Sequence, residues 1–396
     1  MANSNRFFWP GNRFLVLFLS FLSAFAPLST DMYLPALPAM AENFGVSSDS
    51  VADTITLFFL VFAISMLFWG PISDRYGRRP ALLAGSLLYT VSSVFIALAN
   101  SLDWMLFWRC VQALGSGAAS SLALAIVKDA LKGRLMQNVI GFMQTITVLA
   151  PLTAPVIGGG TLLFVSWRGI FWILALCGFV SFLGTLGLRE TVRSRSQAGF
   201  LNIASRIGVV LKNAKFRDAL IIFSAMAMPF MSYLALSPFV YQDVFGLSAQ
   251  VYSLFFALNS CFIMVGPASY LKYFHRFDRV RLIFIQLVVM ALSGTIALLA
   301  GRSGPWIFLF AFAPVSFCGS LMRPPSTLIM LESNRGDNGV IASLINCGAL
   351  LCGSLSMFVS TLPFWPNPVF TIGAMTAIVS FSCAVFWYII GKNYSG

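Results

Sequence analysis

Two charged residues lie in segments that are otherwise apolar. Asp31 follows seventeen uncharged residues, Phe14 to Thr30, and of the chain's 13 acidic residues it is the one that we place deep in an apolar segment. Burying a charge at such a depth costs about 2.5–3.5 kcal/mol unless it faces a cavity or a partner. A carboxylate can bind and release a proton, so we interpret Asp31 as a candidate proton-exchanging group.

Arg109 is the candidate partner of this carboxylate. At ~1.5 Å per helical residue, Asp31 lies about 10 Å from the outer end of its segment at Pro38, and Arg109 about 8 Å from the outer end of its own near Trp104. A change in water access, or in the distance to a guanidinium, alters the proton affinity of a carboxylate. Two interpretations stay open: a proton-coupling pair, or a structural ion pair that does not titrate.

The elements that must position these residues are membrane-spanning helices. The 396 residues are 58% hydrophobic and 10% charged, against roughly 25% charged residues in soluble domains. Apolar stretches recur at about the 20 residues that a spanning helix needs, and we see no period-2 barrel pattern. We predict an all-α membrane protein whose twelve spans are 14–38, 51–70, 80–100, 104–128, 136–164, 168–189, 217–241, 249–273, 280–301, 304–331, 338–362 and 367–391.

One long polar interruption, Arg189 to Lys215, divides these spans six and six. The predicted organisation is an N-terminal half at 1–189, a cytoplasmic connecting loop at 190–216 and a C-terminal half at 217–396. The other connections are short, which leaves no room for a soluble domain between helices.

The net charge of +12 follows the predicted topology. With the N-terminus on the cytoplasmic side, 21 of the 25 lysines and arginines fall in cytoplasmic segments, and the four others are Arg109, Arg168, Arg302 and Arg323. This is the positive-inside pattern, so we predict two cytoplasmic termini and no nucleic-acid partner.

Processing, metal and catalytic signals are weak in this sequence. Ala24-Phe25-Ala26 fits a signal-peptide cleavage pattern, but the apolar run continues to Pro35, so we expect a retained span. The seven cysteines lie inside predicted spans without a C-x-x-C pair, and the single histidine, His275, lies in a basic loop. We therefore expect no metal, no cofactor and no enzymatic activity.

Other polar side chains within the spans are candidates for lining a substrate cavity, although hydrogen bonds between helices are an equal alternative. They are Thr30, Asp31, Tyr33, Gln112, Gln144, Tyr233, Asn259 and Asn346. Arg323 either extends toward the cytoplasm or faces the substrate. One deep acid against two deep arginines favours neutral, zwitterionic or weakly anionic ligands.

Four segments resemble a known family. Gly70-Pro-Ile-Ser-Asp-Arg-Tyr-Gly-Arg-Arg79 resembles the signature loop of the major facilitator superfamily. Ser29-Thr-Asp-Met-Tyr-Leu-Pro35, Trp108-Arg-Cys-Val-Gln-Ala-Leu-Gly-Ser-Gly117 and Ala150-Pro-Leu-Thr-Ala-Pro-Val-Ile-Gly-Gly159 are similar to its Bcr/CflA group of drug/proton antiporters. The match spans essentially the whole chain.

The resemblance implies roles for two sets of residues. Asp74, Arg75, Arg78 and Arg79 would form a cytoplasmic charge cluster with Asp129, unless they are only a static anchor. The conformational motifs would comprise Gly70, Gly77, Pro151, Pro155, Gly158 and Gly159, with Pro151 and Pro155 interrupting the fifth span. In the second half, Tyr270 stands where the signature aspartate would be, which assigns any lock on Asp74 to the first half.

The same resemblance implies a function. It suggests a monomer of the bacterial inner membrane that exports small amphipathic drug-like molecules by alternating access, with the proton gradient as its energy source. The nearest alternative is the same fold dedicated to one metabolite or natural product, such as an amino acid or a siderophore. A membrane receptor, a membrane enzyme or an uncoupled channel is disfavoured, because no catalytic constellation or extramembrane domain is visible.

Overall fold

The computed structural model describes residues 12–192, 207–333 and 338–394. Secondary structure over these ranges is helical. The helices are α1 Asn12–Ser23, α2 Phe25–Asp31, α3 Leu37–Phe44, α4 Ser48–Tyr76, α5 Arg78–Ala97, α6 Leu102–Ala130, α7 Gly133–Thr161, α8 Trp167–Leu186, α9 Ala214–Ala225, α10 Met228–Phe239, α11 Ala249–Lys272, α12 Arg279–Ala300, α13 Pro305–Glu332, α14 Asn338–Ser360 and α15 Pro368–Ile390.

Among the described residues, eleven helices are long and apolar enough to cross a membrane. A bent pair, Phe14–Ser23 with Phe25–Phe44, makes twelve if it is counted as one span. The seventh span, Ala214–Val244, combines α9, α10 and a π-helical turn. These helices confirm the predicted all-α membrane fold.

The first span is broken, whereas the sequence predicts a continuous helix over 14–38. The pair of helices bends by 43°, and the span reaches Phe44. Helix α2 ends at Asp31, and a 3-10 turn at Leu34–Ala36 precedes α3. Asp31 is therefore the last helical residue before an irregular segment rather than one residue in a regular helix.

Prolines account for where these helices end. A proline lacks an N–H, and its ring clashes with the carbonyl of the residue four positions earlier. Pro27 lies four residues after Ser23, the end of α1, and Pro35 lies four residues after Asp31, the end of α2. Pro229 stands in the same relation to Ala225 at the end of α9. The predicted interruption at Pro151 and Pro155 is different, because α7 runs through both.

The chain forms two compact units. The first contains the described parts of Met1–Ala36 and Val61–Phe200, and the second those of Leu37–Leu60 and Leu201–Gly396. The outer part of the first span, the beginning of the second and the second set of six spans thus belong to one unit. Residues 193–206 of the predicted connecting loop lie outside the described ranges.

Close packing of α5 and α6 in the first unit depends on small residues. A side chain at Gly115 would overlap the carbonyl of Gly85 and the backbone nitrogen of Tyr89. At Gly85 the nearest atom to an added Cβ would be the Cβ of Ala118. Small residues let helix backbones approach closely in membranes. This approach brings Tyr89 of α5 close to α6, the helix that carries Arg109 and Gln112.

Candidate functional site

Arg109 lies on α6 and is fully buried. The N-terminus of that helix is capped by Ser101, whose hydroxyl accepts a hydrogen bond from the amide of Trp104. The guanidinium donates to the carbonyl of Ser29 and to the hydroxyl of Tyr33, both at 3.1 Å. Its carbon lies 4.5 Å from the centroid of the Tyr33 ring. A planar group with five N–H donors suits such a set of partners.

Three further hydrogen bonds extend this network to α5. Arg109 donates to the side-chain oxygen of Gln112, whose amide nitrogen donates to Ser93 at 2.8 Å. The hydroxyls of Ser29 and Tyr89 lie 2.6 Å apart. The Arg109 network therefore joins the end of α2, the following turn, α5 and α6.

Asp31 lies beside this network but is bound separately. Its carboxylate is 5% exposed and accepts a 2.8 Å hydrogen bond from the hydroxyl of Thr30. Across the described ranges, no ion pair joins Asp31 to Arg109. The guanidinium reaches the residues on either side instead, Ser29 and Tyr33. Arg109 thus contacts the backbone segment that carries Asp31, and the coupling role of the two residues stays a prediction.

The fifth span holds the broken segment in place. A Cβ at Gly158 would overlap the carbonyl oxygen of Met32, the residue after Asp31. Gly159 is buried next to it, whereas a Cβ at Gly160 would have no neighbour within 4 Å. Of Gly158 and Gly160, only Gly158 has a missing side chain that admits the backbone following Asp31.

The loop between α4 and α5 carries a second polar cluster, in which Arg78 is central. Its side chain lies 2.6 Å from Asp74 and 2.9 Å from Asp129, and it also contacts the hydroxyl of Ser73. The Arg78 side chain is only 12% exposed. The structure thus brings the loop against the end of α6.

The other two predicted members of this cluster bind elsewhere. Arg79 donates at 2.8 Å to the carbonyl of Leu186 at the end of α8. Arg75 is exposed with its guanidinium 5.5 Å from the centroid of the Tyr76 ring, and it forms no ion pair within the described residues. Gly70 has no neighbour within 4 Å of an added Cβ.

Glu190 completes the loop, and sequence reasoning missed it. Its carboxylate accepts hydrogen bonds from the amides of Arg78 at 2.9 Å, Arg79 at 3.2 Å, Thr191 at 2.9 Å and Val192 at 3.0 Å. Gly77 has a φ of 112°, and a Cβ there would overlap this carboxylate. One signal in the sequence points to such a carboxylate. Gly77 precedes α5, and a glycine has no side chain to cap the first amides of that helix.

Comparison with known proteins identifies the family. The model of the Major Facilitator Superfamily matches residues 19–338. The chain belongs to the Major Facilitator Superfamily. This membership makes it a multi-pass membrane transporter rather than an enzyme, and it confirms the resemblance seen in the loop at 70–79.

Individual members of the superfamily resemble the whole chain. A chloramphenicol resistance protein of Pseudomonas aeruginosa is 26% identical, and the alignment covers 93% of this chain and 90% of that protein. A bicyclomycin resistance protein homolog of Haemophilus influenzae is 26% identical over 96% of both chains. The crystal structure of a peptide transporter in complex with sulfate has a TM-score of 0.78 at 14% identity, covering 96% of this chain and 95% of that one.

The predicted cavity residues of this superfamily member fall into two groups. Thr30, Tyr33, Gln112, Tyr233 and Asn259 are buried. Tyr33 and Gln112 serve the Arg109 network, Tyr233 stacks on Phe312 with ring centroids 4.4 Å apart, and Asn259 accepts a 2.8 Å hydrogen bond from Ser316. Gln144 and Asn346 are exposed. The substrate contacts predicted for all of them stay predictions.

The second unit contains an ion pair in the corresponding place. Arg279, the first residue of α12, lies 2.8 Å from Glu332, the last residue of α13. These are the ninth and tenth spans, as α5 and α6 are the third and fourth. Tyr270, at the position of the signature aspartate, packs in an apolar cluster with Leu282 and Leu321. The second unit therefore keeps an arginine–carboxylate pair without the aspartate.

Proposed function

We propose that this protein is a proton-coupled secondary transporter that exports small amphipathic drug-like molecules by alternating access. The observation that carries the proposal is the position of Asp31. It is a buried carboxylate at the end of a broken helix, with Thr30 as its hydrogen-bond donor and with the Arg109 network on both sides of it. The two relatives named for antibiotic resistance support the substrate class.

The chemistry of coupling belongs to Asp31. A buried carboxylate that is hydrogen-bonded but not ion-paired has a proton affinity that depends strongly on water access. In the proposed cycle Asp31 takes up a proton from the outside and releases it to the cytoplasm as substrate moves outward. Irregular backbone at membrane depth is tolerated where it is buried in protein or lines a water-filled cavity, and the turn at Leu34–Ala36 is buried. The turn after Asp31 lets the carboxylate change its surroundings without unwinding a regular helix.

Arg109 acts on Asp31 by positioning the backbone around it. Its hydrogen bonds fix the carbonyl two residues before Asp31 and the phenol two residues after it. A fixed positive charge next to this segment also makes a second positive charge on the substrate unfavourable. Neutral, zwitterionic or weakly anionic molecules are the substrates that these charges favour.

The loop cluster governs the cytoplasmic end in this proposal. Arg78, held by Asp74 and Asp129, stabilises the state that is closed to the cytoplasm, and these contacts break when the halves rock. The setting we propose is the bacterial inner membrane, with both termini cytoplasmic. The chain acts as a monomer and uses the proton gradient without a cofactor.

Active transport in everted membrane vesicles tests the role of Asp31. We expect Asp31→Asn to reduce uphill transport of chloramphenicol at least about tenfold while substrate binding and exchange persist, because the amide cannot carry the proton. The matched control is Asp103→Asn, which removes an exposed acid at the start of α6 and should transport like the wild type. Undiminished uphill transport by Asp31→Asn would refute the coupling role.

A further inference from the structure

Arg323 is an exposed arginine in the middle of a spanning helix. It lies on α13, nine residues before Glu332, which places it about 13 Å from the cytoplasmic end of the tenth span. Its neighbours Leu321, Met322 and Pro325 are buried, yet Arg323 is exposed. The direction in which it is exposed decides what it can bind.

Helical geometry shows that Arg323 points away from the lipid-facing side of α13. The exposed apolar residues Phe310 and Leu328 lie on one stripe of this helix. At about 100° per residue, Arg323 is about 140° away from that stripe. It shares its face with Ser316 and Thr327 and with the buried Phe312 and Met330. The exposed guanidinium therefore lies on the side of the helix away from the lipid-facing stripe, where snorkelling along lipid does not explain its exposure.

The neighbouring helix α14 shows the same division. Its exposed apolar residues Leu351, Leu355 and Phe358 form one stripe. In its cytoplasmic half, Ala342 and Asn346 are exposed on the opposite side, and Ser343 is exposed about 90° from the stripe. The exposed polar face of α14 is thus limited to the half of the helix that lies at the depth of Arg323.

Asn346 matches Arg323 in depth. It comes eight residues after Asn338, or about 12 Å from the cytoplasmic end of α14. Consecutive spans run in opposite directions, so the end of α13 and the start of α14 lie on the same side. The two helices touch, while α14 packs mainly on α9 and α10. Both side chains are polar, exposed, on the side opposite to the apolar stripe and at one depth.

Among the described residues, neither the Arg323 guanidinium nor the Asn346 amide forms a hydrogen bond or an ion pair with another side chain. The described acids at the cytoplasmic ends of this unit are engaged: Glu332 with Arg279, Asp278 with the amide of Arg281, and Asp218 with Arg217. Asp337 lies outside the described residues. The positive charge of Arg323 has no counter-charge among them.

We propose that Arg323 and Asn346 form a binding subsite for an anionic group of the substrate, a carboxylate or another oxyanion on an amphipathic molecule. The proposal deepens the export function and rests on it. A guanidinium donates two parallel hydrogen bonds to a carboxylate, and an adjacent amide N–H supplies a further donor. Such pairing is stronger away from bulk water than at the surface. In the proposed topology the subsite lies about 12–13 Å from the cytoplasmic ends of its helices, the side from which an exported molecule is taken.

A matched pair of probes tests the charge requirement. The probes are 2-naphthoate and its neutral amide, 2-naphthamide, and equilibrium binding to the purified full-length protein is measured in detergent. We expect Arg323→Gln to weaken naphthoate binding at least about tenfold, the loss of a charge-assisted bidentate contact, and to change naphthamide binding less than about twofold. Arg302→Gln, at an exposed arginine in the 3-10 turn that ends the ninth span, is the control and should bind both probes like the wild type.

A second variant tests the pairing of the two residues. Asn346→Asp would place a carboxylate beside the guanidinium, so it should lower naphthoate binding about as much as Arg323→Gln, with naphthamide binding kept. Each variant is checked for a monodisperse elution profile. If Arg323→Gln or Asn346→Asp misfolds, the other variant provides the test. Equal losses for both probes, no loss for either, or no binding of naphthoate by the wild type would overturn the subsite.

The outcome is independent of the coupling proposal. If Asp31→Asn retains full uphill transport while Arg323→Gln loses only naphthoate, the subsite stands and proton coupling through Asp31 fails. If Asp31→Asn uncouples transport while Arg323→Gln changes the binding of both probes equally, the export function stands and the subsite fails.

Discussion

At the residue scale, Arg109 depends on its shape as well as its charge. Its guanidinium reaches a carbonyl, an amide oxygen and a phenol from one rigid plane. The same plane lies against the Tyr33 ring. A lysine carries the same charge at a single point and cannot hold three separated partners. The charge alone is therefore not enough to keep the turn after Asp31 in this conformation.

Arg109→Lys should keep the fold and lose active transport. Leaving the buried Tyr33 hydroxyl or the Gln112 oxygen without its donor costs about 1–3 kcal/mol each, so we expect uphill transport to fall at least about tenfold with a lower melting temperature. The control is Arg168→Lys, because Arg168 also donates to a carbonyl, that of Ala99, and also lies over a ring, that of Trp167, outside this network. Equal transport rates for the two variants would contradict a positioning role for Arg109.

At the element scale, the break in the first span is the feature that positions Asp31. Two prolines place the ends of α1 and α2, and the fifth span supplies Gly158 against the carbonyl of Met32. The first span is thus interrupted by its own prolines, and Gly158 of the fifth span leaves room for the interrupted backbone. The Asp31 carboxylate lies where these two features meet.

The sequence predicts the spans better than the breaks. Twenty apolar residues suffice to indicate a spanning helix, because backbone groups in lipid must be paired within the helix. Hydropathy does not report the clash between a proline ring and the carbonyl four residues earlier, so it predicts a continuous first span. Pro151 and Pro155 show the converse, since α7 accommodates both. Surrounding helices decide which prolines end a helix.

The candidate site, too, is only partly predicted by the sequence. The depth of Asp31 and Arg109 follows from the sequence, but the guanidinium's partners depend on the rotation of each helix about its axis. Glu190 was missed because its role depends on the amides at the start of α5, which lie more than a hundred residues away in the chain. Contacts of this kind are set by tertiary packing and leave no local pattern.

Gly158 and Gly160 offer a matched test of the element that holds the break. Gly158→Ala should displace the Met32 carbonyl and with it Asp31, so we expect at least about a tenfold loss of uphill transport and a lower melting temperature, as for other overpacked sites costing about 1–3 kcal/mol. Gly160→Ala adds the same methyl group in open space and should behave like the wild type. Transport and thermal unfolding are measured on both purified variants. Wild-type transport by Gly158→Ala would show that the break does not depend on this contact.

At the scale of the whole molecule, the two units carry similar ion pairs of different strength. The Arg78 side chain is 12% exposed and its partners Asp74 and Asp129 are 46% and 28% exposed, whereas the Arg279 and Glu332 side chains are 40% and 60% exposed. Exposed pairs contribute about 0–1 kcal/mol. The pair in the second unit therefore adds little to any one state, and the cluster on Arg78 is the stronger of the two contacts. Weak contacts of this kind suit a transporter that must leave each state in turn.

Proton exchange by the whole molecule predicts a flux that reverses with the pH gradient. In proteoliposomes clamped at zero membrane potential, an acidic interior should drive a neutral substrate inward and an alkaline interior should drive it outward. One pH unit corresponds to about 1.4 kcal/mol per proton, so exchange for one proton gives an accumulation of about tenfold and exchange for two about a hundredfold. Asp31→Asn should equilibrate substrate without accumulation in either direction. A flux that follows only the substrate gradient in the wild type would identify an uncoupled pathway instead.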